Sequence, residues 1–66
     1  MKIIVNGNEK EFAEGTTMLE LIKELGLEGK VMATALNMEV VKQNDWTTCK
    51  LAEGDQVELL DFVGGG

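Results

Sequence analysis

The sequence contains no histidine, no arginine, no proline and no tyrosine, and it holds a single cysteine, Cys49. One cysteine rules out an internal disulfide, and without histidine the usual zinc and iron ligand sets cannot be assembled. A reducing, cytoplasmic compartment suits such a chain. Arginine is the side chain most used for bidentate contacts to phosphates and base edges, and here twelve acidic residues face only six lysines. Nucleic acid is therefore a poor partner. The net charge of −6 at pH 7 keeps a small protein soluble and would steer it towards a basic partner surface. No stretch of about 18 consecutive apolar residues exists, so no membrane-spanning helix is expected. The apolar run that follows Met1-Lys2 is too short for the core of a secretory signal.

What the chain does have is enough for one small core. Its 66 residues are 44% hydrophobic, and folding at this size buries only about 60% of the unfolded surface. "KIIV", "NGN" and "EKEF" read as two short strands around an Asn-Gly turn, the strongest local hairpin signal. In "EGTTMLELIKELGL", Thr17 and Glu20 form a capping box, and Met18, Leu21, Ile22 and Leu25 follow i, i+3, i+4, i+7 spacing. Gly26 supplies a left-handed residue to end the helix, with Leu27 folding back on its last turn. The pattern predicts a helix of about three turns with one apolar stripe.

That stripe needs a sheet to cover, and the second half of the chain supplies it. "VMATAL" and "EVV" read as strands on either side of Asn37-Met38, and "QVELLDFV" as a longer final strand entered from the Glu53-Gly54-Asp55 turn. "KQNDWTTCKL" lacks any period and reads as a loop with a short helical turn. The sum is an α+β roll: one mixed sheet of four to five strands with the helix on one face. The first and last strands are expected side by side and parallel at its centre. Residues 1–63 then form the domain, and Gly64, Gly65 and Gly66 a flexible tail leaving a central strand.

These segments carry a family resemblance. The order hairpin, helix, strands, with a last strand running into glycines, resembles the β-grasp or ubiquitin-like fold. At this length the chain resembles the bacterial sulfur-carrier proteins of thiamin biosynthesis, the ThiS family. The likeness runs through "IIVNG", "TTMLELIKELGL", "VMATALNMEVV", Trp46 and "LAEGDQVELLDFVGGG", the last being its most specific part. The family often carries Pro-Arg after the third strand, where this chain has Val41-Lys42. Two related functions share the tail: sulfur transfer for molybdopterin, whose small carrier subunits are usually longer and often contain proline, and conjugation to a lysine as in ubiquitin.

The tail has chemistry of its own. A C-terminal carboxyl, with a pKa of about 3.3 to 3.7, is at neutral pH a resonance-stabilised anion and a poor electrophile, so it must be activated before a nucleophile can attack it. The resemblance implies that an ATP-dependent adenylating enzyme forms a glycyl adenylate at Gly66. A persulfide, supplied by a donor such as a cysteine desulfurase, then displaces AMP to leave a thiocarboxylate for thiazole synthase. The chain itself would be a protein co-substrate with no catalytic residue and no bound cofactor, the ATP belonging to its partner. Glycine fits this use because Gly64, Gly65 and Gly66 lack Cβ atoms and can thread a narrow channel. The carbonyl of Gly66 is open on both faces, and three extended residues reach about 10 Å.

The remaining candidates favour structure over chemistry. Lys50 beside Cys49 is a neighbour of the kind that can lower a thiol's pKa, yet a cysteine with neither histidine nor second thiol is normally inert. Trp46 reads as a packing anchor beneath its loop, and Met18, Met32 and Met38 as core fillers. Glu53, Asp55, Glu58 and Asp61 belong to a turn and to alternating faces of a strand, a poor arrangement for a metal. In the last strand, Val57 and Leu59 are expected to face the helix, which leaves Leu60 and Phe62 on the open face as a partner-docking surface.

Overall fold

Asn6 and Gly7 both take positive φ, 48° and 86°, the combination that a type I′ turn requires at its two central positions. The turn joins β1 (Lys2–Val5) to β2 (Asn8–Glu11) in an antiparallel pair with Val5 opposite Asn8. The computed structural model describes residues 1–61; Phe62, Gly64, Gly65, Gly66 and the limit of the domain at residue 63 lie outside the described residues. Every residue of β2 is exposed, and its sequence, Asn-Glu-Lys-Glu, places charge along an edge strand, which discourages pairing with stray chains.

Helix α1 (Met18–Glu24) begins and ends where its caps dictate. The Glu20 N–H donates to Thr17 Oγ1 at 3.2 Å, and the Thr17 N–H donates to Glu20 Oε1 at 2.9 Å, closing the capping box. At the other end Gly26 sits at φ 74°, its N–H donates to the Lys23 carbonyl at 2.9 Å, and the Leu27 N–H reaches the Ile22 carbonyl at 3.0 Å. This is a Schellman motif, and it takes Leu25 as the C-cap. The helix is therefore seven residues, or about two turns, instead of the expected three. Leu25, the last residue of the apolar spacing, is the cap, Leu27 folds back beyond Gly26 as expected, and both pack half-buried against the core.

A second hairpin, β3 (Val31–Leu36) and β4 (Glu39–Val41), turns at Asn37 and Met38, both at positive φ. After a 3-10 turn at Gln43–Asp45 the chain returns as β5 (Gln56–Asp61). The sheet order is β2-β1-β5-β3-β4. β5 runs parallel to β1, with Val5 beside Val57, and antiparallel to β3, with Leu36 opposite Val57 and Ala33 opposite Leu60. The first and last strands thus lie side by side at the centre, as the element order predicts. Among the described residues no helix is long and apolar enough to cross a membrane.

Alternation along these strands builds the core. Ile3, Val5, Val57 and Leu59 face α1 and are buried, as are Met18, Leu21 and Ile22 on the helix. Each fully buried aliphatic side chain of this kind contributes about 1.5–3 kcal/mol. Trp46 closes one end of this layer, 6% exposed, as an anchor should be. Its indole N–H donates to Thr34 Oγ1 and to the Val41 carbonyl, both at 3.0 Å, so the polar edge of the ring is satisfied where it is buried. Met18 fills the core as expected, but Met32 and Met38 do not: they are 55% and 86% exposed. Met38 occupies the outer position of the β-turn, and Met32 falls at a register shift between Val31 and Ala33.

Candidate functional site

β5 carries the chain towards its C-terminal glycines, so its surroundings define the site. Within it, Val57 and Leu59 point to the helix while Glu58 and Leu60 are exposed on the other face. Leu60, 53% exposed, lies where the alternation predicts. The register extends this face sideways: Ala33 lies opposite Leu60, Ala35 opposite Glu58, and Val40 opposite Ala35. The bulge places Met32 beside Ala33 against the same residue.

Small residues in the middle and large ones at the sides make a depression. Ala33 and Ala35 floor a shallow groove of about 480 Å³, bordered by Val40, Leu60, Glu58 and Asn6. Val40 is 77% exposed, so Val40 and Leu60 form an apolar rim with no helix over it among the described residues, and Met32, 55% exposed, stands outside the groove's lining. Contiguous exposed apolar residues are common at interaction surfaces. Leu60 was legible from the alternation of the final strand. Met32 was read as a core filler and is instead exposed, and Val40 was not singled out, although carrying the same alternation across the second hairpin would have placed Val40 on this face.

The edge of the groove nearest β1 is held by Asn6. Its Oδ1 accepts the Leu59 N–H at 2.8 Å, and its Nδ2 donates to the Leu59 carbonyl at 3.3 Å. The Asn6 backbone N–H donates to the Val57 carbonyl at 2.9 Å. Other expected candidates resolve into structure. Asp55 accepts the Ala52 N–H at 2.7 Å and the Asn37 side-chain amide at 3.0 Å, and Glu53 accepts the Lys2 N–H at 2.8 Å. These carboxylates are committed to turn and strand hydrogen bonds.

Cys49 is half-buried. Burial, followed by the nearby carboxylates Asp55 and Asp45, pushes its thiol pKa up, and Lys50 does not offset them. A thiol held protonated at neutral pH is a weak nucleophile. Nothing in the described residues equips it for catalysis.

The family model that matches this chain, described as "ThiS family", covers residues 3–66 and so includes the terminal glycines. The chain belongs to the ThiS family. It is 30% identical over 66 residues to the sulfur carrier protein ThiS of Escherichia coli (strain K12), covering the whole of both chains. It is also 33% identical over 66 residues to a thiazole synthase of Paramagnetospirillum magneticum, where the match takes all of this chain but only 20% of that protein. The chain thus spans about one fifth of the length of that relative. The crystal structure of a thiamine biosynthesis protein (ThiS) from Geobacter metallireducens superposes with a TM-score of 0.83, at 33% identity and full coverage of both chains. The mixed five-stranded sheet with its single helix is accordingly the β-grasp fold of this ThiS family.

Proposed function

We propose that this chain is a sulfur carrier for the thiazole ring in thiamin biosynthesis, loaded at the carboxyl of Gly66. The observation that carries this reading is the family match over residues 3–66, which ends on the three glycines. The named relatives support thiazole, over molybdopterin, as the product. In the first step the Gly66 carboxylate attacks the α-phosphorus of ATP on an adenylating enzyme, forming an acyl adenylate and releasing pyrophosphate. The terminal sulfur of a persulfide then attacks the Gly66 carbonyl and expels AMP, giving an acyl disulfide. A thiol reduces that disulfide, leaving the thiocarboxylate on Gly66 and a new disulfide on the donor side. The carrier is consumed and regenerated as a co-substrate; the catalytic groups and the ATP site belong to its partners.

A thiocarboxylate is nucleophilic at neutral pH while remaining tethered, so the domain delivers one sulfur atom without releasing free sulfide. The exchange belongs in a reducing compartment such as the cytoplasm, where donor persulfides and thiols persist. We assign docking of the adenylating enzyme and of thiazole synthase to the open face around Leu60, widened to Met32 and Val40 and extended in sequence to Phe62. That a thiazole synthase contains a segment similar to this entire chain supports thiazole synthase as one partner. Gly64 and Gly65 serve as the slender part of the tail that enters a partner's active site. The test is an intact-mass measurement after incubation with the adenylating enzyme, ATP, a persulfide donor and a thiol. Mass should rise by the difference between sulfur and oxygen; an unchanged mass with an active enzyme set contradicts the reading.

A further inference from the structure

The parallel ladder between β1 and β5 stops early. Its last pair is Val5 with Val57, because the chain turns away at Asn6 and Gly7. On that side the backbone of Leu59 has no strand to meet. The Asn6 carboxamide meets it instead, accepting from the Leu59 N–H at 2.8 Å and donating to the Leu59 carbonyl at 3.3 Å. One side chain thus supplies the donor and acceptor of an absent strand residue, extending the ladder two residues along β5.

The turn alone does not call for this. Its first central position takes Gly and Asp as well as Asn, since each tolerates positive φ there. Among these only Asn both accepts and donates. Leu59 is also the last residue of β5 held from the β1 side by a hydrogen bond among the described residues, and Phe62 follows it by three positions in sequence. The geometry points to Asn6 as a positioning residue for sulfur loading: by fixing Leu59 it fixes the direction in which the chain leaves the sheet towards Gly66. This inference rests on the sulfur-carrier reading.

The experiment follows the adenylating enzyme's rate of thiocarboxylate formation against carrier concentration for wild type, Asn6→Gly and Asn6→Asp, with melting curves and hydrogen exchange at the Leu59 amide. Asn6→Gly keeps the turn and loses both bonds; Asn6→Asp keeps the acceptor for the Leu59 N–H and loses the donor. Misdirected delivery with intact docking lowers kcat and spares KM. For Asn6→Gly kcat should fall about tenfold to a hundredfold, with KM within about twofold and the protein folded at the assay temperature. Asn6→Asp should fall less, and Leu59 should exchange faster in both. A wild-type kcat in folded Asn6→Gly overturns the inference, as does a raised KM with kcat unchanged, which makes Asn6 part of the docking surface. Should Asn6→Gly fail to fold, the same criteria apply to Asn6→Asp. If wild type itself gains no sulfur, the carrier reading fails and this inference with it; if wild type and both folded variants load equally, only the role of Asn6 is lost.

Discussion

The two faces of one sheet are built from neighbouring residues of the same strands, yet they meet different fates. Val57 and Leu59 are 1% and 8% exposed under α1, while Leu60, one residue on, is 53% exposed over Ala33. A strand alternates its side chains whatever lies on either side, so an apolar residue on the uncovered face adds little to the core. The covered face holds the domain together. The open face is the one to which we assign partner docking.

The comparison breaks most severely if the helix side is not what stabilises the fold. Leu21→Ala, at a fully buried position, should cost about 2–5 kcal/mol of unfolding free energy in denaturant titration and leave affinity per folded molecule unchanged. Loss of affinity without loss of stability at Leu21 would erase the division between faces. Leu60→Ala should do the reverse. Binding to the adenylating enzyme or thiazole synthase, read by calorimetry, should weaken by about 1–3 kcal/mol, roughly five- to a hundredfold in Kd, with stability within about 0.5 kcal/mol of wild type. Phe62→Ala is expected to follow Leu60→Ala.

Two smaller effects sharpen the picture at its margins. Met38 is a side chain on the outer surface held at φ 73°, a conformation that costs a non-glycine residue about 1 kcal/mol or slightly more. Met38→Gly should therefore raise stability by about 1 kcal/mol, measured by denaturant midpoint; a loss would mean that Met38 makes a contact worth more than its strain. The smallest effect concerns Cys49, half-buried against the helix-side core. Its pKa is raised in the folded state, so the folded protein binds the thiol proton more tightly than the unfolded chain. The associated stability is present below the unfolded pKa of about 8.5 and is lost as pH rises from there through the folded value. Cys49→Ser should flatten that part of the alkaline decline relative to wild type, and identical pH profiles would show that burial does not perturb the thiol.

Much of this was readable where one residue type settles one local geometry. Asn6-Gly7 specified a hairpin, Thr17 and Glu20 a helix start, and Gly26 its end; all three appear with the expected backbone angles or hydrogen bonds. The central placement of β5 followed from element order. Failures came where sequence spacing alone leaves the partner surface unspecified. Met32 and Met38 are as apolar as Met18, and only the bulge after Val31 and the Asn37-Met38 turn put them in solvent. Helix length was overread because Leu25 keeps the apolar spacing while serving as the C-cap. Beside Cys49 the sequence shows only Lys50, while in the fold burial first, then Asp55 and Asp45, push the thiol's pKa up. The pair of hydrogen bonds between Asn6 and Leu59 spans 53 positions in sequence and has no local signature.

The central claim is that the folded body carries sulfur only through the last residue. Its most direct test compares the full chain with one ending at Gly65, each incubated with the adenylating enzyme, ATP, a persulfide donor and a thiol, with fragment masses locating any added sulfur. The account predicts sulfur on Gly66 of the full chain, none on the shortened chain, and the same melting temperature for both. Sulfur on the shortened chain, or on Cys49 in either, would contradict it.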